Sequence, residues 1–108
     1  MPNVNKATVM GVLGRDPETK QFPNGGSMTT FSVATTEFWK DKTTGERKEA
    51  TEWHRISTNG RLADVANKYL KKGCKAYIEG SLRTRKWKDQ NSVDREVTEI
   101  RADVLQLL

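Results

Sequence analysis

At 108 residues the chain has room for one domain and none for a second. Only 34% of its residues are apolar and 31% are charged, so the core must be compact and the surface wet, a shortage that self-association would relieve. Nineteen Lys/Arg against fourteen Asp/Glu leave +5, which suits a polyanionic partner as well as plain solubility, while one Cys and one His exclude an intrachain disulfide and an ordinary zinc site of several protein ligands.

The first segment, Asn5 to Arg15, is a β-rich run through Thr8, Val9, Met10, Val12 and Leu13, and Gly11 and Gly14 suit a coiled or bulged barrel strand. The residues before and within it form no apolar h-region, and nowhere do ~18 apolar residues run together. Neither export nor membrane insertion is therefore expected, and a reducing cytoplasm fits. DPETKQFPNGG, with two prolines and Asn-Gly-Gly, reads as a turn or hairpin connection from Asp16 to Gly26. A second strand follows from Met28 to about Trp39. Lys40 to Glu49 is polar throughout and is expected to project as a mobile hairpin arm. The third strand runs from Thr51 to Thr58.

Between Arg61 and Lys72 the apolar residues Leu62, Val65, Ala66, Tyr69 and Leu70 recur at helical spacing, which predicts one helix with that face buried. Gly60 and Gly73 bracket it, and Lys68, Lys71 and Lys72 fall at the end where the dipole favours cations. A fourth strand, Lys75 to Trp87, places Ala76, Ile78 and Leu82 on one side and Tyr77, Arg83, Arg85 and Trp87 on the other. After the turn DQNSVD comes a fifth, with Ile100, Ala102 and Val104 in phase. The order is β-β-β-α-β-β. This is the plan of an all-β fold with one helix, the five-stranded OB barrel, with the helix between strands three and four.

SLRTRKWK, from Ser81 to Lys88, carries the sharpest chemical signal, because alternation brings Arg83, Arg85 and Trp87 out on one face. Cations neutralise phosphates, and an exposed indole offers a flat platform on which any base stacks for about 1–3 kcal/mol. Trp53 and Arg55 repeat the pairing in strand three, and Trp39 sits beside Lys40 and Lys42. A Trp that merely filled the core or closed a barrel end would more often have apolar neighbours, so three basic-flanked tryptophans favour nucleic-acid binding without base-specific readout. His54 has no G-x-S-x-G elbow, P-loop or paired acids with it, and no catalytic residue is assigned. It shares the face of Ile56, opposite Trp53 and Arg55, which favours packing or a subunit contact. Cys74, beside Gly73, reads as a small core residue, and PNGG as a turn rather than a phosphate nest.

VNKATVMGVLGRDPE, PNGG, FSVAT, TEWHR, YLKKG and YIEGSLRTRKW stand in an order and spacing, over nearly all of the chain, that strongly resembles the bacterial single-stranded DNA-binding protein family. The resemblance implies an OB-fold subunit of a homotetramer, without cofactor, metal or enzymatic activity. Such a subunit binds single-stranded DNA with little sequence preference and protects it during replication, recombination and repair, in a nucleoid-associated cytoplasmic setting. Trp39, Trp53 and Trp87 fall where the family stacks bases. By similar position Lys42, Arg55, Arg61, Lys72, Arg83, Arg85 and Lys86 would contact phosphates, and His54 would be the family's interface histidine. Two features depart from the pattern. Asn59 stands where a further stacking aromatic is common, though alternation from Trp53 still turns it toward the DNA path. The chain also stops at DVLQLL without the acidic tail through which family members recruit replication and repair enzymes, so tail-dependent recruitment is not expected of it.

Two other readings compete. A primosomal OB protein would explain the missing tail, but it accounts less well for RTRKW and the basic-flanked tryptophans. A small OB nuclease would need clustered carboxylates for metal, whereas the acids here are dispersed and mostly beside Lys or Arg.

Overall fold

The computed structural model describes residues 2–108 as six strands and one helix: β1 Ala7–Leu13, β2 Glu18–Gln21, β3 Ser27–Lys40, β4 Arg47–Asn59, α1 Gly60–Tyr69, β5 Lys75–Lys88 and β6 Asp94–Leu107. The order β1-β5-β6-β4-β3 closes on itself where Val12 and Leu13 pair with Ala34 and Val33, which makes a five-stranded barrel. β4 and β6 run parallel and the other neighbours antiparallel. The expected OB architecture is therefore present, and the helix separates the third and fourth barrel strands. Closure depends on Gly11, because a Cβ there would lie 2.1 Å from the Ala34 carbonyl oxygen.

Alternation sends Leu13, Phe31, Val33, Ile56, Ala76, Ile78, Ile100 and Ala102 into the barrel, where all are buried. The helix closes one end by laying Ala66 against this core with Ala63 also buried, and Leu70, just past its last turn, joins the core as well. Its small alanines permit close approach, so the buried Thr29 hydroxyl reaches the Ala63 carbonyl at 2.8 Å and Thr58 donates to the Thr29 carbonyl at 2.8 Å. No buried side-chain polar atom among the described residues lacks a partner.

Several sequence-based expectations shift. Four residues of the expected 16–26 connection, Glu18–Gln21, form β2, a short edge strand that pairs only with β3 and leaves FPNGG as the turn. The helix ends at Tyr69 rather than Lys72, since Leu70 turns extended to enter the core. Lys71 and Lys72 consequently lie in the following turn. Tyr69, expected on the buried face, is exposed, and Ala63 takes that place; Val104, expected in phase with Ile100 and Ala102, instead faces outward, because a bulge at Asp103 shifts the β5–β6 register. β4 begins at Arg47, not Thr51, so Lys40 and Arg47 to Glu49 of the expected polar arm belong to a regular two-stranded ribbon, and the rest is its six-residue turn, Asp41 to Glu46.

Two ribbons project from the barrel. β4 meets β6 only at Ile56 and Ser57, and β1 meets β3 only at its end, so β3–β4 runs free from about Thr35 outward. β5–β6 does the same beyond Leu82. A 14-residue strand spans roughly 46 Å, which accounts for overall dimensions of 57 × 37 × 36 Å. Both faces of a free ribbon are wet, and this is why polar sequence is tolerated there.

Candidate nucleic-acid interface

In β4 the buried side chains Ile56 and Thr58 fix the phase, so Trp53, Arg55 and Asn59 face outward. In β5, Ala76, Ile78 and Gly80 do the same, so Arg83, Arg85 and Trp87 face outward in their turn. β6 lies between these strands in the sheet, and from it Glu99 joins the two sets. Its carboxylate receives Arg55 Nε at 2.7 Å and Arg85 Nε at 3.4 Å, while the residue is only 6% exposed. Both guanidiniums are held through Nε, which leaves their terminal nitrogens for another acceptor. Arg85 also lies over the Trp87 ring at 5.4 Å. An unbroken outer surface thus runs from Trp53 through Arg55 and Arg85 to Trp87. Glu99 was not singled out from the sequence. Its place opposite Arg83 in the ladder would have suggested one ion pair, but its contact with Arg55 depends on the parallel β4–β6 juxtaposition.

Trp53 rests on a glycine. A Cβ at Gly14 would lie 2.4 Å from the indole, so a side chain there could not coexist with the ring where it stands. Arg15 lines the shallow depressions on this side together with Trp53 in one and Arg55 in the other, adding a cation between them. Lys72 is brought to the same end of β1, because its backbone N–H donates to Asp16 at 2.8 Å and Gly73 N–H donates to the Leu13 carbonyl at 2.9 Å.

Not every expected site residue converges here. Lys86 alternates to the opposite side of the β5–β6 ribbon from Arg83, Arg85 and Trp87, and lines its tip with Trp87, Lys88 and Arg95. Trp39 and Lys42 lie at the end of the β3–β4 ribbon, with Trp39 on the face opposite to that of Trp53. Arg61 is exposed in the first turn of α1, two residues beyond Asn59. Asn59 is the N-cap residue of that helix, yet its side chain makes no capping bond and is exposed. All three tryptophans are open to solvent, at 43–58% exposure.

His54 faces away from this surface, with its Nε2 2.8 Å from the Thr35 hydroxyl in a hollow that Glu37 and Glu52 also line. Cys74 is partly buried and packs against the core. Among the described residues no group of His, Cys, Asp or Glu side chains converges to hold a metal ion, and no helix is long and apolar enough to cross a membrane.

Compared with known families, residues 4–108 match the single-strand binding protein family. Among solved structures, one described as Plasmodium falciparum SSB in complex with ssDNA is 40% identical, with a TM-score of 0.88 over 100% of this chain and 97% of that one. A deletion mutant of the single-stranded DNA binding protein from Thermus aquaticus is 25% identical, with a TM-score of 0.81. It is matched by 97% of this chain, which spans 50% of its length.

Proposed function

The chain belongs to the single-strand binding protein family, and on that premise we propose that it binds single-stranded DNA along its outer face, as a binding protein and not a catalyst. Bases stack on Trp53, Trp87 and Trp39. Arg55, Arg83 and Arg85 neutralise phosphates along the central path, with Lys42, Arg61, Lys72 and Lys86 at its margins. Its service is to protect unpaired strands during replication, recombination and repair.

The observation that carries this reading is the Trp53–Arg55–Glu99–Arg85–Trp87 arrangement. Two indoles flank a pair of guanidiniums held in place by a carboxylate that needs only their Nε atoms. Such a surface offers stacking and charge together and has no base-specific donor pattern. The test is intrinsic Trp emission titrated with single-stranded and duplex DNA across a salt series. Single strands should quench the emission and duplex far less, because a stacked base must be unpaired. Log affinity should fall with log salt at about −0.7 per phosphate neutralised. Equal affinity for the two forms, or unquenched emission, would refute the proposal.

Association into a homotetramer belongs to the same reading. The outer faces of β1, β5 and β6 present Met10, Val12 and Val104 at 39–60% exposure around Tyr77. A neighbouring subunit would cover these apolar side chains. His54, on the side away from the DNA path, is assigned to a further subunit contact.

A further inference from the structure

The β3–β4 ribbon carries two adjacent aromatics near its tip, Phe38 and Trp39, and a strand must turn them to opposite faces. The ladder settles which face each takes. Ala34 pairs with Trp53, Thr36 with Thr51 and Phe38 with Glu49, so Phe38 lies on the Trp53 side and Trp39 on the other. Phe38 is 56% exposed, and the Arg47 guanidinium stands over its ring at 4.8 Å.

Packing does not account for this ring. Its cross-strand partner is Glu49, and the next pair toward the barrel is Thr36 with Thr51, whose hydroxyls bond to each other at 3.1 Å. No apolar side chain on that face of the ribbon covers it. A phenyl ring left bare at the end of an otherwise polar face of the ribbon, with a cation beside it, repeats the pattern of Arg85 over Trp87. It stands four residues along β3 from the Trp53 partner, ~13 Å, which is within the reach of the roughly 4–16 nucleotides that an OB fold holds.

We propose that Phe38, backed by Arg47, is an additional base-stacking platform, which extends the DNA path from Trp53 along the same face of the β3–β4 ribbon. This rests on the reading that the protein binds single-stranded DNA. The phenyl ring supplies the π-face that Asn59 lacks at the other end of β4, and Arg47 takes the adjoining phosphate. The ribbon thereby grips nucleic acid on two sides, with Trp39 on one and Phe38 on the other.

The test compares the parent protein with Phe38→Leu, Phe38→Tyr and Arg47→Gln in titrations with oligothymidylate across a salt series, with folding followed by circular dichroism. Phe38→Leu should weaken binding about fivefold or more at an unchanged salt slope, and Phe38→Tyr should restore it. Arg47→Gln should weaken binding and flatten the slope by about 0.7. In the unmutated protein, photocrosslinking to an iodouracil-substituted strand should yield an adduct at Phe38 as well as at the tryptophans. This arm is independent of how the variants fold. A folded Phe38→Leu variant with parental affinity, or adducts at Trp53 and Trp87 without one at Phe38, would overturn the platform and leave the general reading intact. Failure of the parent to bind or quench at all would instead remove the reading on which it rests.

Discussion

Asn59 is where the family pattern and the chemistry of a single side chain part company. It sits outward at the end of β4, in line with Trp53 and Arg55, and contributes no hydrogen bond to the helix it caps. Replacing it therefore removes little capping energy, while Asn59→Phe adds a π-face. That variant should tighten single-strand binding by about 1 kcal/mol, the low end of the stacking range, at an unchanged salt slope. Unaltered affinity in a folded variant would exclude this position from the path. Gly14 makes the reciprocal case. Gly14→Ala puts a methyl group where the Trp53 ring lies, so the indole must swing away. Binding should weaken by about 1 kcal/mol or more with the barrel still folded, and dispersal of the Trp53 emission from its parental maximum would report the displacement. Glu99 gives a third residue-scale expectation, because it couples Arg55 and Arg85. Arg85→Ala should weaken binding and flatten the salt slope, and the loss should be smaller in a Glu99→Gln background, where no half-partnered carboxylate faces the phosphates. Equal losses in the two backgrounds, measured as a double-mutant cycle, would show that the pair acts independently.

At the scale of elements, the two ribbons depend on their turns. Asp41 accepts the Thr43 and Thr44 N–H groups at 2.7 and 3.1 Å, and these bonds hold its carboxyl below its usual range, Thr44 contributing most. Asp89 does the same in the β5–β6 turn, where the Arg95 guanidinium is the chief cause and the Val93 and Asn91 N–H groups add to it. A lowered folded-state value means that the unfolded chain binds more protons through the carboxylate range. The stabilisation is therefore complete above the unfolded value, near pH 4, and is lost as pH falls through the lowered folded values. Both groups are only half-buried and sit beside solvent, so the effect is modest. Thermal melting from about pH 5 down to about pH 2.5 should show a falling midpoint, with a shallower fall in Asp41→Asn and Asp89→Asn. An identical pH dependence in those variants would mean that the turns do not set ribbon stability. A ribbon that frays at its turn also loses the register that places Phe38, Trp39 and Trp87, so Asp41→Asn and Asp89→Asn should also bind single strands more weakly at neutral pH.

In the whole molecule the outer sheet of β1, β5 and β6 is the surface that the proposed association would cover. The Tyr77 hydroxyl donates to Glu79 at 2.5 Å and Lys6 reaches the same carboxylate at 3.5 Å, so the Tyr77 and Glu79 side chains on this face are already paired. The tyrosine is held above its usual range by that bond and the glutamate below it. What remains for a partner is Met10, Val12 and Val104. Native mass spectrometry should find four chains, and Val104→Glu should drive the assembly to smaller species while circular dichroism stays that of a folded barrel. A parent monomer at micromolar concentration would refute self-association, and a dimer would favour the primosomal type of OB protein.

Alternation within a strand is a local property, set by backbone geometry and by which residues can be buried. For that reason TEWHRIS and SLRTRKWK by themselves determined that Trp53, Arg55, Arg83, Arg85 and Trp87 face outward, and the strand order determined the barrel. The boundaries were less legible. The polar residues Arg47 to Glu49 carry no burial signal, yet they extend β4 because a ladder with β3 satisfies their backbone groups; β2 forms for the same reason. Leu70 leaves the helix because the core takes its side chain, which helical spacing alone cannot foretell. Three placements come from the folded chain alone: Glu99 joins arginines from two other strands, Gly14 lies beneath Trp53, and Phe38, rather than Trp39, shares the Trp53 face. Each of these depends on pairing between segments distant in the chain. The register of such pairing is set by barrel closure, and shifting it by one residue would turn every side chain to the other face.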